Sequence, residues 1–139
     1  MRLAITAALL ALLGTAGAQA ATTEYYFSFD NTVGPTAGTV TGRIFLDFLS
    51  SPDASGTGSA TSILIDTVAP GLDPASVGTD AVLYDVVAFN SFTVANGEIV
   101  DFRFGSATTG APPVNNLCLN NGAQFDIPGT VALCLEDEI

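Results

Sequence analysis

The stretch Ser91–Ser106, SFTVANGEIVDFRFGS, decides how this chain folds. Two apolar-rich arms flank Asn96-Gly97, a dipeptide that favours the tight turn of a β-hairpin. A two-residue turn pairs Ala95 with Glu98 and, in an unbroken ladder, sets Phe92 opposite Asp101. A three-residue loop, Ala95-Asn96-Gly97, pairs Val94 with Glu98 and Phe92 with Val100. The second register gathers Phe92, Val94, Val100, Phe102 and Phe104 on one face and leaves Asp101 and Arg103 on the other. Side chains alternate along a strand, so a slip of one residue reverses every one of them. The expected connection is therefore the three-residue loop with a left-handed Gly97.

Outward from the hairpin the same period-two pattern recurs. In Glu24–Asp30, Tyr25, Phe27 and Phe29 share one face, while Glu24, Tyr26, Ser28 and Asp30 share the other. Gly38–Leu49 places Val40, Ile44, Leu46 and Phe48 together, with Phe45 and Leu49 opposite and Gly42 marking a bulge. Ala60–Ala69 reads as a third strand with Ile63 and Ile65 inward, and Ala81–Phe89 as a fourth. Leu117–Leu119 and Thr130–Leu135 complete the set. Turn-rich links separate them: Asn31–Gly38, Ser50–Ser59, Pro70–Asp80 and Ala107–Asn116, of which Ser50–Ser59 reads as a flexible loop. No segment sustains apolar residues at helical spacing. The expectation is one all-β domain over residues 21–139, an antiparallel β-sandwich or jelly-roll-like barrel of about seven or eight strands.

Residues 1–20 read as a signal peptide: Met1-Arg2, an apolar run Leu3–Leu13, and Ala18-Gln19-Ala20 as the small-x-small cleavage pattern. Export is therefore expected, to the cell surface, the extracellular space or the periplasm. No other apolar run approaches the roughly 18 residues of a spanning helix, so no integral membrane segment is expected after cleavage.

Beyond the leader, fourteen acids face only Arg43 and Arg103, a side-chain charge of −12, with no Lys and no His. Such a surface repels phosphate backbones, so nucleic acid is not an expected partner. Without His and Lys, the usual nucleophile and base arrangements are missing. Paired carboxylates remain for glycoside chemistry, but no motif marks a pair. Asp66-Thr67 lacks the glycine of an aspartic-protease loop, since Val68 follows. The expectation is a protein without catalytic residues or an obligatory cofactor.

Two binding chemistries stay open. Hard cations want several oxygen ligands, and Asp30, Asp53, Asp73 and Asp80 lie in or beside loops as calcium candidates, though Asx residues there also serve simply as turn formers. Sugars stack on exposed aromatics, and Tyr26 and Phe45 occupy polar or mixed strand faces. Cys118 and Cys134 form an even count in an exported chain, which points to a disulfide. Two buried thiols, or half of a metal site, are the other readings of the pair.

The segment Tyr25–Gly42 (YYFSFDNTVGPTAGTVTG), Ala60-Thr61-Ser62 and Asn90-Ser91-Phe92-Thr93-Val94 before a Gly turn together resemble the exported small surface proteins of PEP-CTERM type bacteria. The resemblance spans roughly Tyr25–Gly105 and implies a short β-domain in an envelope or matrix setting, often alongside exopolysaccharide. It implies no enzymatic role, and its matching positions read as fold residues. Such proteins usually end in a Pro-Glu-Pro motif, an apolar helix and a basic tail. Leu135–Ile139 carries none of these, so a freely released member, or a chain that continues further, is expected.

Overall fold

The computed structural model describes residues 22–31, 38–72, 74–109, 116–121, 125–126 and 133–134. The expected signal peptide 1–20, Asp73, Pro112-Pro113 and the acidic tip after Cys134 lie outside the described residues.

The described chain is all-β, and its seven main strands form two antiparallel sheets. One holds β1 (Thr23–Asn31), β2 (Gly38–Leu46) and β4 (Ala60–Thr67), in that order. The other holds β3 (Gly56–Gly58), β5 (Val86–Ala95), β6 (Glu98–Ala107) and β7 (Asn116–Asn120). A short ribbon pairs β8 (Phe125–Asp126) with β9 (Leu133–Cys134), and β9 lies against β7. No hydrogen-bonded ladder joins the two large sheets, so the architecture is a sandwich and not a closed barrel.

The core lies between the sheets. Val40, Ile44, Leu46, Ile63 and Ile65 enter it from one side, and Phe92, Val94, Phe104, Leu117 and Leu119 from the other. Each fully buried side chain of this size contributes about 1.5–3 kcal/mol by leaving water. The alternation read from β1 holds: Tyr25, Phe27 and Phe29 pack against the core, and Tyr26 points to solvent. Phe27 and Phe29 stack at 6.1 Å between ring centroids. Opposite Phe27 sits Gly42, and the Phe27 ring fills the space that a Cβ at Gly42 would take. A Cβ there would also meet Leu64 O of β4, so the position has no room for a side chain. A register shift does occur beside Gly42, but the extra residue is Asp66 on the neighbouring β4.

The hairpin differs from the expected loop. Ala95 pairs with Glu98 across a two-residue turn, and both Asn96 (φ 51°) and Gly97 (φ 82°) are left-handed, as a type I′ turn demands. Val94 then faces Ile99, and Val100 is the extra residue of a bulge, 53% exposed. Beyond it Phe92 meets Phe102, and Phe104 is buried. The chain thus makes the tight turn that Asn-Gly prefers and corrects the parity one step later. Val100 leaves the inward set and Ile99 joins it.

Three other expectations are corrected. Ser50–Ser59 is not wholly loop, because Gly56–Gly58 forms β3 on β5. Its preceding turn is held by the hairpin tip: Asn96 N–H donates to Ser55 Oγ (2.9 Å) and Gly97 N–H to Ala54 O (3.3 Å). Ala81–Phe89 is not one strand: Ala81–Leu83 is a 3₁₀ turn capped by Asp80, and β5 starts only at Val86. Leu49 does not lie opposite the inward set. The strand ends at Leu46, the chain bends, and Leu49 is fully buried in the core, while Phe48 also packs against the core beneath Gly56 and Gly58.

Candidate functional site

Two surfaces bring chemistry-bearing residues together. The first is the outer face of β1-β2-β4. Tyr26 is 77% exposed and lies opposite Arg43, while Glu24 lies opposite Phe45. Asp66, the extra residue of the β4 bulge, presents its carboxylate to this face. Arg43 Nε donates to Asp66 Oδ2 (2.9 Å) and Nη2 to Asp66 Oδ1 (2.8 Å), a bidentate fork, while Nη1 reaches Glu24 Oε1 at 3.4 Å. The Asp66 hydrogen bonds, and less so its charge and Glu24, raise the Arg43 pKa above its already high ordinary value. The guanidinium is also 5.9 Å from the Phe45 ring centroid, within cation–π range. Hydroxyls flank this platform: Thr41 and Thr67 share a hydrogen bond at 2.7 Å, and Thr39 Oγ1 donates to Asp30 Oδ1 at 2.8 Å.

The second is a cavity of about 270 Å³ between the sheets, beside β1. Phe27 and Phe29 from β1, Ile99 and Phe102 from β6, Leu119 from β7 and Phe92 from β5 form its walls. Ile44 of β2, with Tyr26 and Ser28 of β1, completes the lining, so the recess is mainly apolar and aromatic, with a polar share along β1. Nearby on the same inward face of β1, Tyr25 Oη and Thr23 Oγ1 are buried without a hydrogen-bond partner. Burial, and secondarily the Asp53 carboxylate, raise the Tyr25 phenol above its ordinary range.

The calcium candidates are not brought together. Asp80 Oδ1 accepts from Ile63 N–H (2.9 Å) and Val82 N–H (3.0 Å), which makes it a brace between β4 and the 3₁₀ turn. Asp30 is engaged by Thr39 at the far end of β1, and Asp53 sits at the hairpin tip beside Gly97. Asp73 lies outside the described residues. Among the described residues no three acids, cysteines or histidines converge as a metal group. Asp85 is bound by Thr109, whose N–H (2.6 Å) and hydroxyl (2.9 Å) hold the carboxyl pKa below its ordinary value.

Cys118 lies on the outer face of β7, opposite Gly105, in a small second cluster with Ala107, Val86, Ala88 and Phe89. It is fully buried, although Leu117 and Leu119 on either side point the other way, into the main core. The side chain of Cys134 lies outside the described residues.

The sequence reading found Tyr26 and Phe45 but missed Arg43 and Asp66 as their neighbours. Alternation from Ile63 and Ile65 puts Asp66 outward, but no local signal marks its pairing with Arg43 on a strand twenty-three residues earlier. The cavity was missed because its walls come from five strands of two sheets. No protein-family model, curated protein or solved structure matches this chain. Among the described residues no helix is long and apolar enough to cross a membrane.

Proposed function

We propose that this is an exported, non-catalytic protein of the cell surface or extracellular matrix, of the kind that its PEP-CTERM-type resemblance implies. The observation that carries the reading is the leader itself: a basic start, the Leu3–Leu13 apolar run and Ala18-Gln19-Ala20. The placement of the polar side chains supports it. Asp80, Asp85, Asn90, Arg43 and Asp66 are engaged in bonds that hold strands and turns together. Asn90 is typical: its amide exchanges two bonds with the Ala60 backbone (2.7 and 2.9 Å) and pins one sheet to the other. Expression in a Gram-negative host followed by mass spectrometry of each fraction tests the reading. A mature N-terminus near Ala21 in the envelope or medium is expected; an uncleaved chain confined to the cytosol would contradict it.

A Cys118–Cys134 disulfide belongs to this reading. Burial of Cys118, the absence of a free cysteine among the described residues and the contact of β9 with β7 support it. Closing such a loop stabilises by about 3 kcal/mol in the chain-entropy treatment. Alkylation with and without reductant reads it directly.

A second reading, a carbohydrate-binding module, is favoured by Tyr26, the most exposed aromatic of β1, standing across from Arg43 on a hydroxyl-lined sheet face. Sugar rings stack on such faces and take hydrogen bonds from Arg and Thr. A glycan array with the Tyr26→Ala variant tests it, and calorimetry against calcium tests the remaining cation reading.

A further inference from the structure

The three-stranded sheet ends at β1, which pairs only with β2 among the described residues. The sheet facing it has one strand more. The apolar cavity lies at this place, where a further strand beside β1 would cover it. We propose that the β1 edge is a docking site for an extended polypeptide segment of basic character, which adds a fourth strand to the sheet and lowers an apolar side chain into the cavity. The inference does not depend on where the protein works.

The backbone supplies the first argument. A strand edge offers unpaired N–H and C=O groups along its length, and β1 is nine residues long. The pleat supplies the second. Alternate side chains of an added strand point into the sandwich, and the others point to water. Those that point inward meet Phe27, Phe29, Ile99, Phe102 and Leu119. The size agrees: a cavity of about 150 Å³ takes benzene, so about 270 Å³ accommodates a large aliphatic or aromatic side chain.

Charge selects the partner. Glu24, which also reaches Arg43 at 3.4 Å, and Asp30, which accepts from Thr39, stand exposed near the two ends of β1, on a chain with fourteen acids and no Lys. A second copy laid antiparallel on the same edge would bring Glu24 toward Asp30 at both ends and join two strongly acidic bodies. A segment with Lys or Arg flanking its apolar residues meets both carboxylates favourably and is steered to the edge at a distance. An apolar small molecule would fill the cavity but leave the backbone edge unused.

A titration of the isotope-labelled protein with synthetic nine-residue peptides tests this. The probe alternates Val and Thr around a central Phe and carries Lys near both ends, at positions two and eight, so that the Lys side chains share the outward face with Glu24 and Asp30 while the Phe points inward. Controls carry Glu at the same two positions, or Pro at the centre. Saturable shifts confined to residues 23–31, Ile99, Phe102 and Leu119 are expected with the Lys-ended peptide. Roughly tenfold weaker binding is expected with Glu ends, and none with the central Pro, which breaks the added ladder. The double variant Glu24→Lys with Asp30→Lys reverses the preference for end charge. If that variant fails to fold, the wild type still decides: rising salt weakens the Lys-ended peptide and spares the Glu-ended one. Binding of indole alone with no response to any peptide would overturn the proposal in favour of a small apolar ligand. Concentration-dependent dimerisation without peptide binding would overturn it in favour of a second copy. Shifts that map elsewhere, or no binding at all, would also overturn it.

Discussion

Along β4, the outward backbone is taken up. Ile65 N–H donates to Thr79 O (3.2 Å), Gly78 N–H donates to Ile65 O (2.8 Å), and Ile63 N–H donates to the Asp80 carboxylate (2.9 Å). The chain from Ser76 to Tyr84 thus lies along that edge and seals the sandwich, with Ala81 fully buried. Along β1, on the other side of the same sheet, no described segment does this work, and an apolar recess opens into the core. Among the described residues this sheet is finished on one side by its own chain and left open on the other. Strand edges are where a β-protein either protects itself or can bind, and the two edges of this one sheet differ in that respect.

Removing the brace on the closed side should have the largest effect. Asp80→Ala leaves the Ile63 and Val82 amides without their charged acceptor and is expected to destabilise by about 2–4 kcal/mol. Denaturant unfolding measures the loss. The Asn variant, which keeps an acceptor oxygen, should recover part of it.

Enlarging a side chain should then give opposite signs on the two sides. Ile63 is fully buried in close packing, and Ile63→Phe should cost about 1–3 kcal/mol. Ile99 lines the cavity, and Ile99→Phe should instead stabilise by about 0.5–2 kcal/mol by filling it. Thermal unfolding of the two variants side by side reads the difference, and equal losses would mean that the recess is not open space. The hairpin tip lies between these cases. Gly97→Ala, at φ 82° and close to Pro52 O, should cost about 1–2 kcal/mol.

Asp85 gives a pH-dependent effect on the same scale of detail. Its folded pKa lies below the unfolded one, so the Thr109 contact stabilises above the ordinary Asp range and the gain is lost as pH falls through the folded value. Asp85→Asn should therefore weaken the protein at neutral pH and match the wild type at low pH. The smallest effect is expected at the bulge. Val100→Thr, on an exposed side chain, should move stability by less than about 0.5 kcal/mol.

These contrasts also show what could be read from the residues alone. The alternation Tyr25-Phe27-Phe29 and the buried Ile63 and Ile65 were legible because a period of two is local. The all-β class followed from them. The hairpin was legible in place but not in register, because the parity of Phe92 against Phe102 depends on a bulge at Val100 that no neighbouring residue announces. The break at Ala81 was hidden by apolar residues that serve a 3₁₀ turn as well as a strand; only the Asp80 cap separates the two. At the candidate platform, Tyr26 and Phe45 were visible as misplaced aromatics. The Arg43–Asp66 fork and the walls of the cavity are long-range pairings, and single-strand patterns do not contain them.

Amide hydrogen exchange, read residue by residue, tests the unequal edges most directly. The Ile63 and Ile65 amides should exchange only with global unfolding, while alternate amides within residues 23–31 exchange orders of magnitude faster, at the rate of open strand edges. Uniformly slow exchange along β1, equal to that of β4, would show a covered edge and contradict the open side of the sandwich.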